Sequence, residues 1–156
     1  MEHEPHSDDK ATQIEKAARL LGGVRILRHR LGSQREVHDL ILRGLPTASV
    51  AFLVSHFIVI SKDEVFQKGI GMSPRTLQRR TETKRLSPEQ SGRAWKFAAI
   101  LAKATEVFGS REAAERWLER PAIGLDRKRP IDLLITNAGA EMVEKFLGRL
   151  EYGVYT

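Results

Sequence analysis

One stretch of the chain, residues 61–85, places two helix-start signals on either side of a pair of glycines. Ser61 is followed three residues later by Glu64, the spacing of a capping box, which predicts that a helix begins there. Gly69 and Gly71 can end this helix in a sharp turn, because glycine adopts positive φ without a steric penalty. A tight turn directly after a short helix is compatible with only a small number of folds.

A second short helix is predicted directly after the glycines. Ser73 supplies an N-cap oxygen, and Pro74 suits the first helical position, where its missing N–H costs nothing. Leu77 is the main apolar residue of this helix, so the other side is free to face outward. That outward side carries Arg75, Gln78, Arg79 and Arg80. Two short helices joined in this way form a helix-turn-helix, whose second helix enters the major groove of DNA.

Positive charge is concentrated on and just after that second helix. The chain has 156 residues and a formal net charge of +6. Between residues 75 and 96, seven basic residues stand against two acidic ones, so most of the excess lies in this segment. A charge run is often only a solvated helix face. Its position on a predicted recognition helix favours contact with phosphates.

Seven residues are the predicted DNA contacts. Arginine can pair bidentately with guanine and glutamine with adenine, whereas basic residues just past the helix are better placed for phosphate. Thr76 has an alternative role as the N3 residue of the helix, turned towards the turn itself. The predicted contacts are Arg75, Thr76, Gln78, Arg79, Arg80, Lys84 and Arg85.

Apolar residues at helical spacing, with serine caps, continue along the rest of the chain. Residues 1–11 are predicted to be a tail, and residues 24–27 a connecting segment. Helices are predicted over residues 12–21, 33–44, 45–60, 87–108, 111–119 and 138–150, with a loop over 121–129 and a helical turn over 130–135. No strand pattern is visible, so the predicted fold class is all-α, with a helix-turn-helix region followed by a small helical domain.

Neither a signal peptide nor a transmembrane segment is visible. Residues 1–10 are acidic and contain no apolar run. The most hydrophobic segment, VAFLVSHFIVI at residues 50–60, has 11 residues. A helix that crosses a bilayer needs about 20. We therefore expect a cytoplasmic protein without a membrane partner.

The composition argues against catalysis. No cysteine is present, which removes disulfides, thiolate chemistry and cysteine–zinc sites. The five histidines show no metal-ligand spacing, so we expect neither a metal site nor a cofactor. His56, inside the apolar run, is predicted to be a hydrogen-bonded core histidine. No residue is assigned a catalytic role, and the chain is not expected to be an enzyme.

From about residue 24 onward, the sequence resembles the antitoxins of the Xre/MbcA/ParS type. The likeness rests on LILRGLP at 40–46, SPRTLQRR at 73–80 and LSPE at 86–89. It continues, in order, through Ala104, Val107, Phe108, Gly109, Ala113, Ala114, Trp117, Leu118, Pro130, Leu133, Leu134, Thr136, Gly139, Val143, Leu147, Arg149, Tyr152 and Gly153. In that family an Xre-like helix-turn-helix region precedes a small helical toxin-binding domain. The implied divisions are a variable segment 1–23, a helix-turn-helix domain 24–86 and a toxin-binding domain 87–156.

The resemblance implies an antitoxin of a type II toxin–antitoxin system. Its toxin would resemble the RES-domain proteins, which consume NAD⁺, and the C-terminal domain would cover the toxin's NAD⁺ pocket. The complex would bind its own operator DNA and repress it. The chain's partners would then be a cognate RES-domain toxin and operator DNA.

The last helix and the tail EYGVYT, residues 151–156, are the predicted toxin contacts. Aromatic rings fill a pocket with little loss of rotamer entropy and keep a hydroxyl for hydrogen bonding. The predicted residues are Arg149, Glu151, Tyr152, Gly153 and Tyr155. An alternative is that Tyr152 folds back on Trp117 and closes the helical domain, with Trp117 itself in the core.

Two other functions stay open from the sequence. The chain can be a stand-alone helix-turn-helix regulator whose C-terminal domain serves only dimerisation, and an enzyme is a third, less favoured hypothesis. Self-association is expected in either DNA-binding role, because a single helix-turn-helix offers few contacts and palindromic operators call for a two-fold pair. The expected state is a homodimer or a higher oligomer.

Overall fold

The computed structural model describes residues 7–80 and 84–153. Within those ranges every regular element is a helix, and β contacts are limited to two isolated bridges. The predicted all-α fold class is therefore confirmed. The helices are α1 (Ser7–Leu20), α2 (Gly23–Leu27), α3 (Gln34–Arg43), α4 (Thr47–Ser55), α5 (Lys62–Glu64) with a π-helix (Val65–Ile70), α6 (Pro74–Arg80), α7 (Pro88–Phe108), α8 (Arg111–Leu118), a 3₁₀ turn (Ile123–Leu125), α9 (Pro130–Leu133) and α10 (Asn137–Glu151).

Helix α7 is the centre of the fold. Its capping box is complete, because the Ser87 hydroxyl accepts from the Gln90 N–H and the Gln90 side chain accepts from the Ser87 N–H, both at 3.1 Å. Helices α1, α3, α8, α10 and the π-helix all pack against it. Its buried side chains include Ala94, Phe97, Ala98, Ile100, Leu101 and Ala104. The fold therefore has one core, to which both halves of the chain contribute.

The N-terminal helix is longer than predicted. Residues 7–11 belong to α1, so the predicted tail is wrong there, and residues 1–6 lie outside the described range. Asp8 and Asp9 in the first turn favour a helix start, since carboxylates complement the helix dipole. Further along, Ile14 and Ala17 are buried. This amphipathic helix packs on α7, so it forms part of the core rather than a free segment.

The spacing predicted one helix through residues 50–60, but the structure divides this apolar run. Helix α4 ends at Ser55, and Ile58 is 77% exposed while Phe57 and Ile60 are buried. His56 is exposed, so the predicted core position is wrong, although its Nδ1 does lie 2.7 Å from the Phe52 carbonyl oxygen. The helix ends because a side chain distant in sequence binds the backbone that follows it.

That side chain is Glu115 of α8, which is fully buried. Its Oε1 accepts from the backbone N–H groups of residues 58, 59 and 60 at 2.9, 2.9 and 3.2 Å. Its Oε2 lies 3.7 Å from Nε of Arg111, whose guanidinium stacks 4.8 Å from the Phe57 ring centroid. One carboxylate thus replaces the helical acceptors and fixes this loop against the C-terminal half.

We expect the Glu115→Ala substitution to lower the free energy of unfolding by about 2–4 kcal/mol, because three buried N–H groups lose their acceptor. Urea denaturation measures this difference. Glu112→Ala on the same helix is the matched control. Glu112 pairs with Arg116 where both side chains are about half exposed, so its loss is expected to cost no more than about 0.5 kcal/mol. Equal effects of the two substitutions would contradict the role given to Glu115.

Candidate DNA-binding and partner-binding surfaces

The first helix of the helix-turn-helix begins as α5 and continues as a π-helix, Val65–Ile70. Gly71 ends it at φ 71°, with its N–H donating to the Phe66 carbonyl at 2.7 Å. Gly69 lies inside the π-helix and does not form the turn, contrary to the prediction. A Cβ on Gly69 would lie 2.9 Å from the Phe97 ring. Gly69 therefore lets the π-helix approach α7 closely.

The cap of α6 uses a predicted DNA contact. The Ser73 hydroxyl accepts from the Thr76 N–H at 3.0 Å and lies 2.9 Å from the Thr76 hydroxyl. Thr76 is half-buried, in the capping position that was the alternative reading of this residue. Leu77 packs against the core as predicted. The cap and this leucine together fix which side of α6 faces outward.

The outward side of α6 carries Arg75, Gln78 and Arg79, all exposed. Arg75 and Arg79 make no hydrogen bond or ion pair within the described part of the chain. The Arg80 side chain is outside that part. Lys84 is exposed and has a positive φ of 60°. The structure therefore brings four of the predicted contacts to the surface on or just after α6.

Two basic residues near α6 hold the fold together. Arg85, a predicted DNA contact, donates from Nη1 to the Gly44 carbonyl at 2.8 Å. Arg93 donates from Nη2 to the Lys68 carbonyl at 3.0 Å, and burial lowers its pKa. Because these guanidiniums bind backbone carbonyls inside the fold, the local excess of charge overstates what is available to a partner.

A cluster of four charged side chains ties the π-helix to the segment around α9. Arg129 donates to Glu64 at 2.7 Å and to Asp132 at 2.9 Å, and Lys68 lies 2.5 Å from Asp132. The hydrogen bond from Arg129 lowers the pKa of Asp132 to about 2 and also lowers the pKa of Glu64. Glu64 therefore does not close the predicted capping box, and only the Ser61 half of that box forms.

The loop after α8 presses its tip against α10. The Trp117 and Phe146 rings stack at 5°, with centroids 6.0 Å apart, and the Phe108 ring centroid lies 5.1 Å from that of Trp117. A Cβ on Gly124 would lie 2.1 Å from the Phe146 ring, so the loop can approach only with glycine there. Its neighbour Ile123 is 88% exposed. The loop thus places an isoleucine side chain in solvent next to α10.

One exposed face of α10 carries two of the predicted toxin contacts. Met142, Arg149 and Tyr152 recur at helical spacing and are exposed, and the Arg149 guanidinium lies 5.9 Å from the Phe146 ring centroid. Together with Ile123 and Phe146, these residues form what we call the α10 surface. The sequence prediction missed Met142 and Ile123. An isoleucine inside a polar loop was the one signal available.

The other predicted toxin contacts differ in position. Glu151 is the last residue of α10 and forms an ion pair with Lys103 of α7. Gly153 follows in a left-handed turn at φ 69°. Tyr155 lies outside the described residues. Trp117 is half-buried beside Phe108 and Phe146 and packs against the core without lying in it, contrary to the core position predicted for it. The alternative contact between Tyr152 and Trp117 stays a prediction.

Two further features bear on the kind of site present. No three histidine, aspartate or glutamate residues are placed to hold a metal ion in the ranges that the structure describes. No helix in those ranges combines the length and the apolar character needed to cross a membrane. The predicted site residues that the structure exposes lie on or just after α6 and at the end of α10.

Two family models match the chain in consecutive order. The antitoxin Xre-like helix-turn-helix domain matches residues 36–99, which include α6. The antitoxin Xre/MbcA/ParS C-terminal toxin-binding domain matches residues 103–153, which include the α10 surface. The two matches adjoin within α7, in agreement with a core that both regions share.

Three relatives, each named Antitoxin Xre, are similar to this chain. The protein of Yersinia enterocolitica is 36% identical over 99 residues, which are 62% of this chain and 66% of that relative. The Photorhabdus laumondii protein is 26% identical over 120 residues, 76% of this chain and 80% of the relative. The Pseudomonas putida protein is 29% identical over 126 residues, which are 79% of this chain and 76% of the relative. With both domain models matched in order, the chain belongs to the Xre/MbcA/ParS-type antitoxins.

Proposed function

We propose that this chain is the antitoxin of a type II toxin–antitoxin system, which blocks a cognate toxin with its C-terminal region and binds operator DNA through α6. The observation that carries the proposal is the separation of two exposed surfaces on one core. Arg75 and Arg79 face outward from α6, within the match to the helix-turn-helix domain. The α10 surface lies within the match to the toxin-binding domain.

The toxin in this proposal is a RES-domain protein that consumes NAD⁺, as the sequence resemblance implies. The end of α10 and the residues after it cover its nucleotide pocket. Arg149 offers a fork of donors and Tyr152 an aromatic ring with a hydroxyl, and both residue types are common at the centre of tight interfaces. The ion pair between Glu151 and Lys103 holds the end of α10 against α7. Gly153 and Tyr155 then enter the pocket.

The α10 surface suits a protein partner because it is apolar at its centre and charged at its edge. Ile123 and Met142 are 88% and 42% exposed, large values for side chains that gain free energy from burial. Lys145 borders them on the same helix. A toxin that covers this surface would bury the apolar side chains and leave this lysine at a solvated rim, the usual arrangement of a protein interface.

We expect a chain that stops after Glu151 to lose inhibition of the toxin while keeping its own stability. The truncation retains α10 and the ion pair with Lys103, so thermal unfolding should be unchanged. The measurement is NAD⁺ consumption by the toxin with a saturating amount of each variant. Removal of residues 1–6, which lie outside both family matches, is the control and should leave inhibition intact. Full inhibition by the C-terminal truncation would refute the proposed occlusion.

The DNA half of the proposal assigns α6 to an operator near the chain's own promoter, with repression as the result. Arg75, Gln78 and Arg79 supply the side-chain types that contact base edges and phosphates. Arg80 and Lys84 extend the same basic segment, and Arg85 contributes from its position against Gly44. A helix of seven residues covers few base pairs, so a two-fold pair of chains on a palindromic operator completes the proposal.

We expect Arg75→Ala with Arg79→Ala to weaken operator binding and to flatten its salt dependence. Each phosphate contact that is lost should reduce the slope of log K against log salt by about 0.9. Fluorescence anisotropy with a labelled operator duplex, over a series of salt concentrations, measures both effects. Arg120→Ala with Arg127→Ala, two exposed arginines of the C-terminal half, is the control. If the α6 variant binds like the wild type, α6 does not contact DNA.

A further inference from the structure

A second group of arginines lies in and after α2, before the region matched by the helix-turn-helix model. From residue 23 to residue 35 the chain has four arginines and one histidine, and neither lysine nor an acidic residue. The side chains of Arg25, Arg28, Arg30 and Arg35 are exposed and make no hydrogen bond or ion pair to any residue that the structure describes. They share this property with Arg75 and Arg79 of α6.

The structure fixes the backbone that carries two of these arginines, Arg28 and Arg30. Leu27 and Leu31 are buried, and the three residues between them are exposed. Arg28 ends α2 in the left-handed conformation, at φ 68°, with its backbone N–H donating to the Val24 carbonyl at 2.8 Å. A segment anchored at both ends by core leucines loses little freedom when a ligand binds. Its basic side chains are therefore presented in advance of binding.

The residue type indicates the ligand. The half-buried arginines Arg93 and Arg129 bind carbonyls and carboxylates of the chain itself. The guanidiniums near α2 have no such acceptor in the described chain, so an external anion is the partner they can still bind. A guanidinium matches two oxygens of a phosphate with a planar fork of donors, which a lysine ammonium cannot do. A run of arginines without lysine therefore favours phosphate groups over a diffuse negative surface.

Helix α4 connects this segment to the DNA-binding region. Helix α2 packs against α4, and α4 begins beside the residues that follow α6, because the Thr47 N–H donates to the Lys84 carbonyl at 3.2 Å. Arg43, at the end of α3, precedes Gly44, whose carbonyl accepts from Arg85. The arginines near α2 and those on α6 are thus carried by elements that pack on one another. A single duplex is a partner that both groups of arginines can share.

We propose that Arg25, Arg28 and Arg30 form a second phosphate-binding site, which contacts the DNA backbone beyond the base pairs that α6 reads. This inference rests on the DNA binding proposed above. Phosphate contacts orient a protein on the duplex and add affinity without reading sequence. The site therefore strengthens binding to the operator and to unrelated DNA by the same factor.

The test replaces all three residues with glutamine in the full-length chain. Anisotropy is measured over a salt series, with an operator duplex and with a scrambled duplex of equal length. If each arginine neutralises one phosphate, the slope of log K against log salt should fall by about 0.9 per residue, or about 2.7 for the triple variant. The ratio of operator affinity to scrambled affinity should stay unchanged. The thermal unfolding midpoint should also stay unchanged, because these exposed side chains make no hydrogen bond or ion pair in the described fold.

Arg120→Gln with Arg127→Gln provides the matched control for exposed charge, and its salt slope should equal that of the wild type. A triple variant with the wild-type slope would overturn the phosphate site, while a weakened α6 variant in the same assay would leave the proposed function standing. Loss of the operator preference alone would also overturn it, because the arginines would then read bases. Absence of DNA binding by the wild-type chain would overturn the site together with the DNA half of the proposed function.

Discussion

The packing of other helices around α7 is the constraint on which the rest of the structure depends. This 21-residue helix is flanked by the π-helix of the helix-turn-helix and by α8 and α10 of the C-terminal region. Neither region has a separate core of its own. Hydrogen bonds and ion pairs at two places also link the N-terminal half of the chain to the C-terminal half. Glu115 holds the loop after α4, and Arg129 bridges Glu64 and Asp132. The two candidate surfaces, on α6 and on α10, are therefore held in a defined relation by the shared interior.

The fold separates the charged residues that already bind a group of the chain from those that have no such partner among the described residues. Arg85, Arg93 and Glu151 bind groups inside the chain, although sequence position alone would offer all three to a partner. Arg75 and Arg79 have no internal acceptor in the described residues. A guanidinium that already binds a buried carbonyl costs free energy to redirect, whereas a solvated one can exchange water for phosphate. The charged side chains that can bind a partner are therefore those that make no hydrogen bond or ion pair within the fold.

Local signals predicted most of the helices and little of what links them. Ser33, Ser73, Ser87 and Ser110 cap their helices as predicted, because a cap depends on residues three apart. The end of α4 at Ser55 could not be predicted, since its cause is Glu115, almost 60 residues later. The structural role of Arg93 has the same kind of origin, because its guanidinium binds the Lys68 carbonyl, 25 residues away in sequence. For the candidate sites, spacing located α6 and α10, but only the packing of Gly124 on Phe146 brought Ile123 to the α10 surface.

Hydrogen–deuterium exchange on the full-length chain, with operator DNA and with the toxin added separately, tests the central claim that one core carries two independent binding surfaces. DNA should protect amides in α6 and leave the last turns of α10 unchanged. The toxin should protect the end of α10 and the 3₁₀ turn at Ile123–Leu125, and leave α6 unchanged. Protection of one shared region by both partners would contradict the claim, as would protection by the toxin that is confined to α6.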